Sequence, residues 1–192
     1  MAKFIFIRHG ESELNQEKKF FGWLNPYLTE KGRNQAKNII EKIPEYDFIF
    51  SSPLNRTLET ANIINKLNKE IVVDENLKEI NFGDFEGLSY EEIKLKFPIE
   101  VENWLKMSHE YKFPNGESPL ELIERCKIFI DSHKNSNGTF LIITHFGVIN
   151  AILCSYISEN IKSFWKFKPN FASITTLEYI NEYFSLVNFN ID

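Results

Sequence analysis

The residues best suited to chemistry stand at the ends of short apolar runs. Phe4-Ile5-Phe6-Ile7 leads into Arg8-His9-Gly10, and Phe140-Leu141-Ile142-Ile143 leads into Thr144-His145. A permanent cation, an imidazole that titrates near neutral pH and a flexible glycine therefore arrive together. A guanidinium beside a neutral imidazole can hold a phosphoryl group and attack it. Arg56 brings a second guanidinium, just after Ser52-Pro53 in the first turn of an expected helix, where the helix N-terminus adds partial positive charge. Glu79 follows Ile71-Val72-Val73 and precedes the aromatic, turn-rich stretch Ile80–Gly87; Glu75, Asp84 and Glu86 are the competing carboxylates nearby.

The elements that must position these groups follow from periodicity and caps. An unbroken apolar run needs cover on both faces, so Phe4–Ile7 and Phe140–Ile143 are expected as buried strands, with Asp47–Phe50 and Ile71–Val73 as two more. Thr29 caps a helix whose Ala36, Ile39, Ile40 and Ile43 share one face and which Pro44 stops. Ser52 is expected to cap the next, with Pro53 at its first position and Leu54, Leu58, Ala61 and Ile64 inward. Ser89 with Glu92 and Ser118 with Glu121 form capping boxes; the first helix ends before Pro98, and the second carries Leu122, Cys126, Phe129 and Ile130. A last helix follows His145 through Val148 and Ile152 toward Cys154, and Phe171 to Phe189 alternates as two strands around Asn181-Glu182. The expected fold class is α/β: three layers, a mostly parallel sheet with helices on both faces, and a C-terminal antiparallel edge hairpin. In such sheets ligands bind beyond the carboxyl ends of the strands. His9 and His145 share that edge if their strands are neighbours.

Composition narrows the class. A chain of 192 residues with 43% hydrophobic and 26% charged side chains is globular, and suits one domain over 1–192 with a helical insertion at about 88–115. The excess of 27 acidic over 22 basic residues, a net charge of −5, argues against a nucleic-acid or anionic-membrane surface. Cys126 and Cys154 lie among apolar residues and are expected as core thiols, which suits a reducing compartment. The apolar start is too short for a signal peptide and no run approaches the length of a membrane span, so a cytoplasmic protein is expected. No His, Cys or carboxylate set has metal-ligand spacing, and no metal or cofactor is expected.

Six motifs occur in a recognisable order. They are Arg8-His9-Gly10-Glu11-Ser12 with Asn15, Leu28-Thr29-Glu30-Lys31-Gly32 with Gln35-Ala36, and Ser52-Pro53-Leu54 with Arg56 and Thr60-Ala61; then Glu79 with Phe82-Gly83 and Glu86-Gly87, Gly116-Glu117-Ser118, and Thr144-His145 with Gly147. On these the chain resembles the histidine phosphatase superfamily, the group of cofactor-dependent phosphoglycerate mutases, fructose-2,6-bisphosphatases and α-ribazole phosphatases. The resemblance implies a phosphoglycerate mutase-like fold and phosphoryl transfer in two steps. His9 is then the nucleophile, attacking as neutral imidazole, with a backbone carbonyl or similar acceptor on its other nitrogen. Arg8, Arg56 and His145 surround the transferring oxygens, Asn15 adds a neutral donor, and Glu79 is the general acid, its pKa raised by burial or by the anionic substrate. Without a metal, positioning and charge stabilisation carry the reaction.

Two positions depart from the pattern: Phe146, where a small residue is usual, and Asn25, where aspartate is common. Lys18-Lys19-Phe20-Phe21 either lines the mouth of the pocket or is a plain solvated loop, and Phe21 and Gly22 are carried as candidate substrate-binding residues. The implied activity is hydrolysis of a phosphomonoester of a small phosphorylated metabolite through a phosphohistidine. The chain is shorter than the mutases, and its Phe82–Gly87 run resembles the phosphatase branch. A mutase passing the group to an organic acceptor and a catalytically idle phospho-ligand binder are the alternatives.

Overall fold

The computed structural model describes all 192 residues, Met1–Asp192. A six-stranded sheet forms the middle layer, in the order β3-β2-β4-β1-β5-β6. Its strands are β1 (Ala2–Arg8), β2 (Phe48–Ser51), β3 (Ile71–Val73), β4 (Gly138–Thr144), β5 (Ile174–Ile180) and β6 (Tyr183–Ile191). β4 lies between β1 and β2, parallel to both, and β3 is parallel to β2, whereas β5 and β6 run antiparallel. The β5–β6 hairpin turns on Asn181 and Glu182, both at positive φ (49° and 68°), as a two-residue turn requires.

Each central strand is buried on both faces, as its unbroken apolar run demands. Phe4 and Phe6 enter one cluster, with Leu122, Phe129, Val148 and Ile152, and Ile5 and Ile7 enter the other, with Ala36, Ile39, Ala61 and Ile64. Helices α2 (Glu30–Asn38) and α3 (Asn55–Ile64) therefore cover one face. The opposite face is covered by α6 (Pro119–His133) and α7 (Phe146–Leu153), with Ile93 of α4 (Tyr90–Lys96) and Val101 of α5 (Pro98–Met107) packed into the same cluster. The short α1 (Glu13–Gln16) sits just beyond β1.

Three local expectations shift. α2 ends at Asn38, and Ile40–Lys42 forms a 3₁₀ turn, so the apolar face through Ile43 bends before Pro44. Ser52 does not cap α3: the helix starts at Asn55, whose N–H donates to Asn25 Oδ1 (2.6 Å), while Ser52 Oγ bonds the His145 ring (2.9 Å). Asn25 thus receives the first N–H of α3 from a distant loop. The last helix, expected as far as Cys154, continues beyond α7 as a π turn over Cys154–Ser158. No helix is long and apolar enough to cross a membrane.

Register decides the site. Arg8 is paired with Thr144 across β1 and β4, so the residues after each strand, His9 and His145, emerge side by side. The chain then leaves β1 toward α2 and leaves β4 into α7, on opposite faces, which opens a crevice at the carboxyl ends of the two strands. Ile142 on β4 is fully buried beneath it. Ile142→Ala is expected to cost about 2–5 kcal/mol of stability, read by urea unfolding at unchanged m; a loss well under that range shows that the sheet centre closes over the cavity.

Candidate active site

His9 is held by its neighbours in one protonation state. Its N–H donates to the Thr144 carbonyl (3.0 Å), continuing the β1–β4 ladder, and its ring Nδ1 lies 2.7 Å from the Gly10 carbonyl. A carbonyl only accepts, so Nδ1 carries the hydrogen and Nε2 keeps its lone pair. That lone pair receives the Arg56 Nε–H at 3.3 Å. Burial, then the charges of Arg56 and Arg8, push the His9 pKa well below its ordinary 6.5, against the opposing bond to Gly10. The His145 ring lies edge-on, its centroid 5.1 Å away. Its Nε2 bonds Ser52 Oγ and its Nδ1 is buried without a partner; burial and then Arg56 push its pKa down as well.

The two guanidinium groups are fixed by backbone carbonyls rather than by ion pairs. Arg56, fully buried in the first turn of α3, donates from Nη1 to Leu24 (3.0 Å) and from Nη2 to Gly22 (2.7 Å). Gly22 therefore offers its carbonyl to Arg56, and its N–H goes to Glu86 Oε1 (3.1 Å). A Cβ there would fall 1.6 Å from the Ile80 carbonyl oxygen, so only glycine fits. Arg8 donates from Nη1 to Pro169 (2.9 Å) and lies over the Phe171 ring at 3.8 Å, with Phe146 at 5.2 Å; its Nε is buried without a partner. Burial lowers both arginines to about 10, which leaves them charged at neutral pH.

Glu79 comes in from the loop beyond β3. Its Oε1 accepts the N–H groups of Ile80 (2.9 Å) and Gly147 (3.0 Å), and a Cβ on Gly147 would sit 2.3 Å from that oxygen. The glycine two residues after His145 is thus what lets the carboxyl approach α7. Burial raises the Glu79 pKa, outweighing these N–H groups and the arginine charges. The three competing carboxylates are engaged elsewhere: Glu86 accepts from the backbone of Gly22, Trp23, Leu24 and Phe82, Glu75 pairs with Lys78, and Asp84 accepts from Asn115.

A cavity of about 190 Å³ brings Arg8, His9, Arg56 and Glu79 together with Asn15, and Lys19, Phe20, Phe21, Phe82 and Phe146 also line it. Asn15 Oδ1 accepts from the Ser12 N–H and hydroxyl (3.1 and 2.8 Å), which leaves its amide Nδ2 as the donor for the pocket. Lys19, Phe20 and Phe21 line the cavity, while Lys18 is exposed outside it; Gly22 and His145 stand behind the lining. A wider depression of about 550 Å³ between α2 and α3 holds no histidine, and its Arg33 pairs with its Glu59 at 2.6 Å.

Sequence reasoning missed Arg125. From α6 it donates to the carbonyls of Asn76 (2.9 Å), Lys78 (2.6 Å) and Glu79 (2.9 Å) and pairs with Glu117 (2.9 Å), tying down the loop that carries Glu79. Trp23 Nε1 adds a bond to the same Glu79 carbonyl (3.0 Å). A signal existed: Arg125 stands in the inward stripe Leu122, Cys126, Phe129, where a charge is out of place unless it is paired. Phe171, beneath Arg8, and Ser52, bonded to His145, had no comparable local signal.

Comparison with known proteins gives the same direction. The family model described as the histidine phosphatase superfamily (branch 1) matches residues 4–192. Phosphoserine phosphatase 1 of Hydrogenobacter thermophilus is 32% identical over 182 residues, 92% of this chain and 86% of that protein. A phosphoserine phosphatase variant of Entamoeba histolytica, solved with phosphoserine, superposes with a TM-score of 0.87 at 31% identity, covering 99% of this chain and 97% of the other. The α-ribazole phosphatase of Shigella flexneri has the same fold, with a TM-score of 0.91 at 23% identity, over 98% of this chain and 96% of that one.

The neutral imidazoles set a pH dependence of stability. Unfolding restores the ordinary pKa of 6.5 to His9 and His145, so below that pH the unfolded chain binds protons that the folded chain refuses. Stability contributed above pH 6.5 is lost as pH falls through and below that value. Glu79, with its raised pKa, acts in the opposite sense and is common to the wild type and both histidine variants. Between pH 7.5 and 5.5 the wild-type Tm is expected to fall more steeply than that of His9→Gln or His145→Gln; equal slopes contradict the assignment of neutral rings.

Proposed function

Because the chain belongs to the histidine phosphatase superfamily and is a phosphomonoester hydrolase of small phosphorylated metabolites, we propose that it works through a phosphohistidine formed on Nε2 of His9. The observation that carries this reading is the Gly10 carbonyl on His9 Nδ1, which directs the lone pair of Nε2 at the site where Arg56 waits. In the first step Nε2 attacks phosphorus, the P–O ester bond breaks, and the leaving oxygen takes the proton of Glu79. In the second, water attacks the phosphohistidine and gives a proton to the Glu79 carboxylate, releasing inorganic phosphate and restoring neutral His9.

Arg8 and Arg56 neutralise the phosphoryl dianion, with the Asn15 amide as a further donor, and His145, edge-on to the His9 ring, backs this lining. Their bonds to backbone carbonyls pre-set the orientation, so little reorganisation is needed as charge shifts in the transition state. The raised pKa of Glu79 suits an acid that must hold its proton near neutral pH, and binding of a dianion raises it further. The relatives' names attach phosphoserine and α-ribazole phosphate to those proteins, and a cavity of about 190 Å³ suits the smaller of the two.

Two substitutions separate the roles. His9→Ala is expected to lower kcat/KM about 10⁴-fold or more, and labelling with ³²P-substrate, quenched in alkaline detergent, is expected to lose the acid-labile, base-stable phosphoenzyme. Glu79→Gln is expected to slow an alkyl phosphate about 10²–10⁴-fold and to remove the basic limb of its pH profile. The same variant should slow p-nitrophenyl phosphate far less, because that leaving group departs without a proton. Full turnover of the alkyl ester by Glu79→Gln overturns the acid assignment.

A further inference from the structure

We propose that Lys19 is the specificity residue of this pocket, and that it selects phosphomonoesters whose leaving group carries a carboxylate a few bonds from the ester oxygen. The inference rests on the hydrolase reading above and concerns the half of the cavity that the chemistry leaves unused. Beyond the phosphate-binding groups and Glu79, the lining consists of Lys19, Phe20, Phe21, Phe82 and Phe146. The four phenylalanine side chains offer no hydrogen bond to a leaving group, so Lys19 is the charged side-chain donor that a leaving group can meet.

Lys19 is also held where it stands. Its N–H donates to the Leu14 carbonyl (3.0 Å), and the next residue is clamped on both sides, Phe20 N–H to Leu88 (2.8 Å) and Gly87 N–H to Phe20 (2.7 Å). The Phe20 ring packs edge-on against Phe82 and Trp104, each at 5.5 Å. The ammonium bonds Glu92 Oε2 at 2.6 Å, and the same oxygen accepts the Ser89 N–H at the start of α4 (2.7 Å). One carboxylate thus ties the side chain to a helix end. An ammonium has three N–H groups, and Glu92 takes one, leaving donors for a second anion.

Charge supports the choice. Lys19 and Glu92 together are neutral, so the pair does not attract anions at long range. A carboxylate must reach the ammonium itself, which makes the contact selective. The low volume, about 190 Å³ for phosphate and leaving group together, limits that group to a few carbon atoms. A short phosphorylated hydroxy acid or amino acid meets both conditions. A phosphorylated alcohol without a carboxylate leaves the Lys19 donors unanswered, and a bulky ester does not fit.

The test is a ratio. 3-Phosphoglycerate and glycerol 3-phosphate differ by a carboxylate in place of a hydroxymethyl group. The wild type is expected to favour the former in kcat/KM, and Lys19→Met to reduce that preference about tenfold or more, as loss of a charged hydrogen bond implies, mostly through KM. Lys19→Arg is expected to keep most of the preference, and far-UV circular dichroism checks that both variants are folded. Two results overturn the proposal: no preference in the wild type, or an unchanged ratio in Lys19→Met, which makes Lys19 a phosphate ligand where both esters fall equally. A wild type that turns over neither ester nor p-nitrophenyl phosphate and forms no phosphohistidine overturns the hydrolase reading itself, and this proposal with it.

Discussion

Two guanidinium ions beside two imidazoles, Arg56 fully buried and Arg8 half-buried, are the constraint around which the rest of the molecule is arranged. Each buried ion loses its hydration and must recover it from fixed dipoles or a counter-charge. Arg56 recovers it from the carbonyls of Gly22 and Leu24, and Arg8 from the carbonyl of Pro169 and the face of Phe171. Neither is neutralised by a salt bridge, so a positive potential is left at the carboxyl ends of β1 and β4. Burial first, and that potential second, keep the neighbouring rings unprotonated. It also suits a dianion, which would supply the missing counter-charge. The charges that help to keep His9 neutral are thus the ones that would attract a phosphate.

The loop Gly22-Trp23-Leu24 links the two sides of the site. Its carbonyls orient Arg56, its backbone N–H groups are gathered by Glu86, and its Trp23 indole bonds the carbonyl of Glu79. Arg56 and the loop that carries Glu79 are therefore braced by one segment, and Arg125 braces that loop a second time from α6. The proposed reaction needs a nucleophile and an acid on opposite sides of one phosphorus atom, so their relative placement matters more than either position alone. A cross-tied frame of this kind is a physical way to hold it.

Much of this frame was legible in the chain. The apolar runs ending in Arg8-His9 and Thr144-His145 are the two strands whose register, Arg8 against Thr144, joins the histidines. Thr29, Ser89 and Ser118 cap the helices that follow them, because a capping bond reaches only three residues along the chain. Ser52 misled for the complementary reason. Its local sequence suits a cap, but Asn25 from a distant loop takes the first N–H of α3 and His145 takes the serine hydroxyl. Arg125 was legible only as an anomaly, a charge in an apolar stripe, whose partners lie on a loop more than forty residues away in the chain.

The sequence by itself determined which residue types stand at the ends of which strands, since period, turn and cap depend on near neighbours. Only the tertiary structure decided which of four carboxylates shares a cavity with His9, which nitrogen of that ring keeps its lone pair, and which side chains line that cavity beside Lys19. Glu79 is singled out by the N–H of Gly147, sixty-eight residues away, and by a burial that no local pattern encodes. Desolvation and hydrogen-bond geometry are sums over everything that closes around a group. They take their values only when distant segments meet.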